Sequence, residues 1–315
     1  MMGSLLLACS GASGPAGANG GEPTGCTAEA LEQCGSQRVE GIDVFDGQGT
    51  VDWASVARSG VTFAWIKATQ GTYDAQATFA ENWAGARRAG VLRGAYHFFD
   101  PTEDGAAQAR RFLALVGPLA PGDLPPMLDL ECPDGDADCL GTGASGSAPA
   151  ADIAVRIWDW IDAVQAATGA RPVVYTFTSY FASSGVDSAG LDVCPLFLAQ
   201  PLTPPTSMPP PGDACVSVPA PWSMATMWQY SWTGSVPGIE GPVDRDAFLG
   251  SLAGLQALAA MPLADAGDAG SAGDAGVPGL PVAMASGAPS AGVSGAAPAA
   301  QAREAGAWPG SPGCF

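Results

Sequence analysis

VTFAWIKATQGTYDAQATFAENWAGARRAGVLRGAYHFF, residues 61–99, reads as strand, helix, strand. Residues 61–68 and 91–99 are short runs rich in β-branched and aromatic side chains. Between them Phe79, Trp83 and Ala86 recur at helical spacing, and Gly90 stops the pattern. A strand followed by a crossover helix and another strand is the unit of a parallel sheet. The alternation extends outward in both directions. Residues 40–45 form an earlier strand, followed by a polar turn, GQGTVDW, into a short helix. Ala106, Ala109, Leu113 and Val116 mark a helix that Gly117 and Pro118 end, and residues 125–131 give a fourth strand. Ile153, Ile157, Ile161 and Val164 define a helix ending at Gly169, and 172–177 is a fifth strand. Shorter strands are expected at 195–199, 225–230 and 242–247, with few helices between them. The count favours closure over an open sheet. The pattern predicts an α/β fold, an irregular TIM-like β/α barrel of parallel strands.

The flanks have a different composition. Residues 10–25 and 262–311 are Gly, Ala, Ser and Pro with almost no bulky apolar side chains, too little to offset the entropy of ordering. The expected organisation is a leader and linker over 1–37, the barrel over 38–258 and a low-complexity tail over 259–315.

The net charge is −19, with Lys67 the sole lysine and His97 the sole histidine. That sign disfavours nucleic acid and anionic membrane surfaces as partners. No run of eighteen apolar residues suggests a spanning helix. Eight cysteines point to an oxidising compartment, hence export to the cell envelope or beyond. Proximity suggests disulfides Cys26–Cys34, Cys132–Cys139 and Cys194–Cys215, although spacing alone does not fix connectivity. Cys9, after Leu6-Leu7-Ala8, resembles the lipobox of bacterial lipoproteins, which makes it the candidate for lipidation; the segment before it lacks Lys and Arg. Cys314 is left over. With no C-x-x-C and one histidine, neither a metal nor another cofactor is expected. Asp134, Asp136 and Asp138 mimic a calcium loop, but Cys139 and Ser145 stand where glycine and glutamate are needed.

The fourth strand, PPMLDLE, places Asp129 and Glu131 at its carboxyl end, where barrels carry their chemistry. Two residues apart, they share a face, with α-carbons roughly 6–7 Å apart, while Leu128 and Leu130 face the helices. Two carboxylates so close do not both ionise easily, so one becomes a proton donor beside an ionised partner. This is the equipment for breaking a glycosidic bond. The alternative is a structural pair satisfied by Arg or backbone amides.

Six segments in order carry a resemblance: GIDVFDGQGTVDW (41–53), FAWIKATQGTYD (63–74), RGAYHFFDP (93–101), DLPPMLDLE (123–131), WQYS (228–231) and VDRDAF (243–248). Together they resemble the lysozymes of glycoside hydrolase family 25, N-acetylmuramidases on an irregular β/α barrel. The resemblance implies that Glu131 is the general acid. It implies that Asp129 stabilises the substrate's acetamido group acting as internal nucleophile, and that Asp43 and Asp244 complete the carboxylate set. Tyr96, His97, Tyr175, Trp228, Gln229 and Lys67 are its candidate substrate-binding residues. His97 is open between substrate contact and support from behind, and Trp228 between substrate contact and core packing. Departures are Phe45-Asp46, Gln70 in place of a frequent glutamate, and Asp246 in place of the usual asparagine. The implied activity is hydrolysis of the β-1,4 bond between N-acetylmuramic acid and N-acetylglucosamine by a monomer acting on peptidoglycan strands. A non-catalytic wall-binding barrel and a chitinase-like glycosidase are the alternatives.

Overall fold

The computed structural model describes residues 31–34, 37–131, 148–202, 210 and 214–260. In chain order the strands are β1 (Leu31–Cys34), β2 (Val39–Val44), β3 (Phe63–Gln70), β4 (Asp74–Ala75), β5 (Leu92–Phe98), β6 (Met127–Leu130), β7 (Val173–Phe177), β8 (Leu196–Ala199), β9 (Cys215–Val218), β10 (Met227–Gly234) and β11 (Val243–Phe248). The helices are α1 (Trp53–Arg58), α2 (Phe79–Ala89), α3 (Gly105–Val116), α4 (Ala150–Thr168), α5 (Tyr180–Ser184) and α6 (Leu252–Ala259).

Around the barrel the order is β2, β3, β5, β6, β7, β8, β10, β11, and β11 pairs with β2 to close the ring. All neighbours are parallel except β11, which runs antiparallel to both β10 and β2. Residues 235–242 alone join β10 to β11, and a parallel crossover needs a longer connection. Between β7 and β8 only α5 and a short 3-10 turn intervene, so the helical ring thins where the sequence shows fewer helices.

The strands are buried on both faces, which produces two apolar layers. Ile42, Ile66, Leu128, Leu130 and Val174 face outward and pack with Phe112, Ile153, Ile157, Trp160 and Ile161 of α3 and α4. Phe63, Trp65, Tyr96, Met127, Tyr175, Phe197 and Met227 fill the inside. The helices end where the sequence indicates: Gly90 and Gly169 take left-handed backbone at φ 78° and 73°, open to glycine without a Cβ clash. Asp104 caps α3 by accepting from the Ala107 amide at 2.6 Å. Gly105 lets α3 begin against the Arg156 carbonyl of α4, where a Cβ would overlap it. At the amino end of β5, Arg93 makes a buried two-pronged ion pair with Asp123, at 2.7 and 3.2 Å, beneath the Trp83 ring. Breaking such a pair from one side costs about 3–5 kcal/mol, because it strands a buried charge.

Three expectations change. The sequence pattern predicts parallel strands throughout, and β11 is antiparallel because its connection from β10 is too short for a crossover. β1 lies within the segment read as linker and pairs antiparallel with β9, so ordered structure begins upstream of residue 38. The Cys194–Cys215 pairing does not form: Cys194 is a buried free thiol whose pKa burial pushes up to about 12. The strand register instead sets Cys34 directly opposite Cys215. Cys9, Cys26, Cys132, Cys139, Cys314 and the calcium-like run Asp134–Asp138 lie outside the described residues.

Candidate active site

Residues alternate in and out along each strand, so the mouth collects every second side chain at the carboxyl ends. Asp43 of β2 and Asp244 of β11 stand directly opposite one another. On β6, Asp129 lies beside Phe98 of β5 and Tyr175 of β7. Glu131 follows β6 immediately, half-buried, close enough to Lys67 and Asp244 to act on both electrostatically. The pair quoted from the sequence therefore faces one way, together with two further carboxylates.

Burial separates their protonation states. Desolvation raises Asp43 to about 6, against hydrogen bonds from Gln229 and Asp244 and the charge of Lys67. Asp244 is raised well above the ordinary carboxylate range by burial and by the charges of Asp43 and Glu131. Asp129 is raised likewise by burial and opposed chiefly by Lys67. Its Oδ1 is buried with no hydrogen-bond partner within the protein. Such an orphaned oxygen costs stability unless something else uses it.

The cation is shared. Lys67 Nζ donates to Gln70 Oε1 at 2.9 Å and lies 4.5 Å from the Phe98 ring centroid. Burial lowers its pKa, while Asp129 and Glu131 lead the groups that raise it. Gln70 is neutral, so it positions the ammonium without cancelling its field. Gln229 organises the opposite wall: its Nε2 donates to Asp43 Oδ2 at 2.8 Å, and its Oε1 accepts from Tyr175 Oη and Trp232 Nε1 at 2.8 and 2.7 Å. Two donors on one oxygen fix the amide's orientation.

The model of glycosyl hydrolases family 25 matches residues 42–239. Lysozyme M1 of Streptomyces globisporus is 36% identical over 70% of this chain and 70% of its own length. An N,O-diacetylmuramidase from Chalaropsis is 34% identical over 65% of this chain and 96% of its own. The chain belongs to glycosyl hydrolase family 25. Among solved structures, a bacterial lysozyme from Streptomyces coelicolor superposes with a TM-score of 0.62 at 35% identity, covering 70% of this chain and 96% of that one. A family 25 lysozyme from Aspergillus fumigatus gives 0.60 at 30%, covering 71% and 100%. The protein is a glycoside hydrolase with a carboxylate-lined barrel mouth.

Within this family 25 barrel, two of the expected substrate contacts are placed elsewhere. His97 is fully buried on the outer side of β5, bonded to Thr69 Oγ1 at 2.7 Å and Gln108 Oε1 at 2.9 Å, and stacked on Trp160. Burial holds its pKa down at about 4, so it stays neutral. Trp228 also faces outward, fully buried, with its Nε1 on the Gln200 carbonyl and Arg38 over its ring. Tyr96, Tyr175, Gln229 and Lys67 do face the interior. Alternation along a strand lets only one of Tyr96 and His97, and one of Trp228 and Gln229, face the interior, without saying which. Trp232 was not foreseen as part of the site, and Asp246 figured in the sequence only as a departure from the usual asparagine. Asp246 lies deeper inside the barrel, opposite Gly41, fully buried with neither oxygen hydrogen-bonded. Of the departures, Asp46 is structural. Its carboxylate accepts from the Ala77 and Thr78 amides and the Thr78 hydroxyl at 2.6–2.9 Å.

Proposed function

We propose that this family 25 hydrolase is a muramidase, cleaving the β-1,4 bond between N-acetylmuramic acid and N-acetylglucosamine in peptidoglycan. The observation that carries this reading is the mouth itself. Carboxyl groups from β2, β11 and the end of β6 converge there, and burial and one lysine keep them in different protonation states. Relatives named as lysozyme and N,O-diacetylmuramidase support it.

In this mechanism Glu131 protonates the leaving glycosidic oxygen as the substrate's own acetamido oxygen closes on the anomeric carbon. Asp129 accepts the acetamido N–H while positive charge builds there, with Lys67 favouring its ionised form. Glu131, now ionised, takes a proton from water as that water opens the ring intermediate, which restores the acid. Asp43, held by Gln229, and Asp244 line the opposite wall and set the local field.

The proposal extends to the protein's surroundings. It places a monomeric enzyme outside the cytoplasm, lipidated at Cys9, with a Cys34–Cys215 disulfide tying β1 to β9 as their register favours. Mass spectrometry of the mature protein with and without reductant tests both modifications. For the activity, reducing-end release from purified peptidoglycan is compared for wild type, Glu131→Gln and Asp129→Asn. Losses of about a hundredfold or more in kcat with the fold retained are expected for each variant. Equal release by wild type and Glu131→Gln refutes the role of Glu131, and release from chitin alone refutes the substrate.

A further inference from the structure

Trp232 is 42% exposed at the carboxyl end of β10, a large apolar ring left at the rim of the mouth. It is not loose. Its Nε1–H points inward to Gln229 Oε1 at 2.7 Å, the oxygen that also takes the Tyr175 hydroxyl. Its ring meets Phe177, centroids 6.0 Å apart and planes at 72°, and Phe177 meets Tyr175 at 6.1 Å in the same manner. Phe177, at the end of β7, is itself half-buried. The result is a ring held by a hydrogen bond below and an aromatic neighbour at its side, with remaining surface in solvent.

A fixed, exposed indole beside a polar mouth suits a ligand with one apolar face and a polar edge. A pyranose ring has that character: its axial C–H bonds form a face that packs on aromatic carbon, while its hydroxyls remain hydrated. The link inward is short. Gln229 Nε2 donates to Asp43 Oδ2 at 2.8 Å, so the ring at the rim and the carboxylate in the mouth share one immobilised amide.

We propose that Trp232, backed by Phe177, is a stacking subsite for one sugar ring of a glycan strand, set in register with Asp43 through Gln229. This rests on the glycan-hydrolase reading and adds to it where the strand is gripped. Trp232 acts here in binding and positioning, not in bond cleavage.

The test uses the full chain as wild type, Trp232→Ala and Trp232→Phe, with two readouts. One is binding of soluble peptidoglycan glycan strands by calorimetry in a Glu131→Gln background. The other is the split of KM and kcat in reducing-end release. Trp232→Ala should weaken binding and raise KM about tenfold or more, with kcat changed less than about threefold. Trp232→Phe, which keeps an aromatic face without the N–H, should stay within about threefold of wild type in affinity. Equal affinity for all three proteins overturns the subsite even if hydrolysis is normal. Loss of kcat rather than affinity in both variants also overturns it, because only the hydrogen bond to Gln229 would then matter. Absence of hydrolysis by wild type speaks against the muramidase reading instead, while the binding comparison still decides the subsite.

Discussion

Asp43 and Asp244 face each other across adjacent antiparallel strands and hydrogen-bond carboxyl to carboxyl. The bond lowers the pKa of Asp43 and raises that of Asp244, which makes Asp244 the proton-bearing partner. An acid facing a carboxylate in this way gives the site one negative charge over a defined pH range. Asp43 loses its proton near pH 6, so kcat/KM should fall as pH drops through about 6. It should fall again at higher pH as Asp244 ionises. Asp244→Asn keeps a donor for Asp43 and should preserve the acid limb while altering the alkaline one. A flat profile from about pH 4 to 8 would rule out this assignment.

Lys67 faces a neutral partner, Gln70, and therefore acts on the catalytic carboxylates at full charge. Gln70→Glu would place a counter-charge beside it. Less positive field reaches Asp43, whose pKa should climb, moving the acid limb up by roughly half a pH unit or more. The mutant's rate deficit should be greatest near pH 5–6 and shrink toward neutrality. An acid limb at the wild-type position would show that Lys67 does not set the field.

Asp246 carries a linkage consequence. Burial is the largest cause raising its folded-state pKa, with the charges of Asp43 and Asp244 adding to it. The folded state thus holds this proton more tightly than the unfolded chain does. Stability is lost as pH rises from the unfolded value near 4 toward the raised folded value. Asp246→Asn removes the titration, so it should be more stable than wild type at pH 7, with the gain fading below about pH 4. Chemical denaturation at the two pH values measures this, and a gain independent of pH would contradict it.

His97 is a packing residue by its contacts, which predicts a split between stability and activity. His97→Ala opens a cavity against Trp160, removes the partner of Thr69 Oγ1 and takes one of two hydrogen bonds from Gln108 Oε1, which still accepts from the Asp100 amide. The expected cost is about 2–4 kcal/mol of stability, with KM within about twofold at a temperature where the variant is folded. A large KM effect without destabilisation would return His97 to the substrate.

The sequence by itself determined the eight barrel strands, because most are short apolar runs bounded by turn residues or by a helix of clear period. It also determined that Asp129 and Glu131 share a side, since strand geometry repeats every second residue. It did not determine which side that was for the whole ring. Strands buried on both faces have no polar stripe, so Tyr96 and His97, or Trp228 and Gln229, look alike in sequence. Only the closed barrel separated them, sending His97 and Trp228 against the helical layer and Tyr96 and Gln229 inward. The antiparallel β11, the joining of Asp43 to Trp232 through Gln229, and the orphaned Asp246 are likewise products of register between distant segments. A hydrogen bond spanning nearly two hundred residues of chain leaves no periodic trace in it, whereas the local strand and helix patterns do.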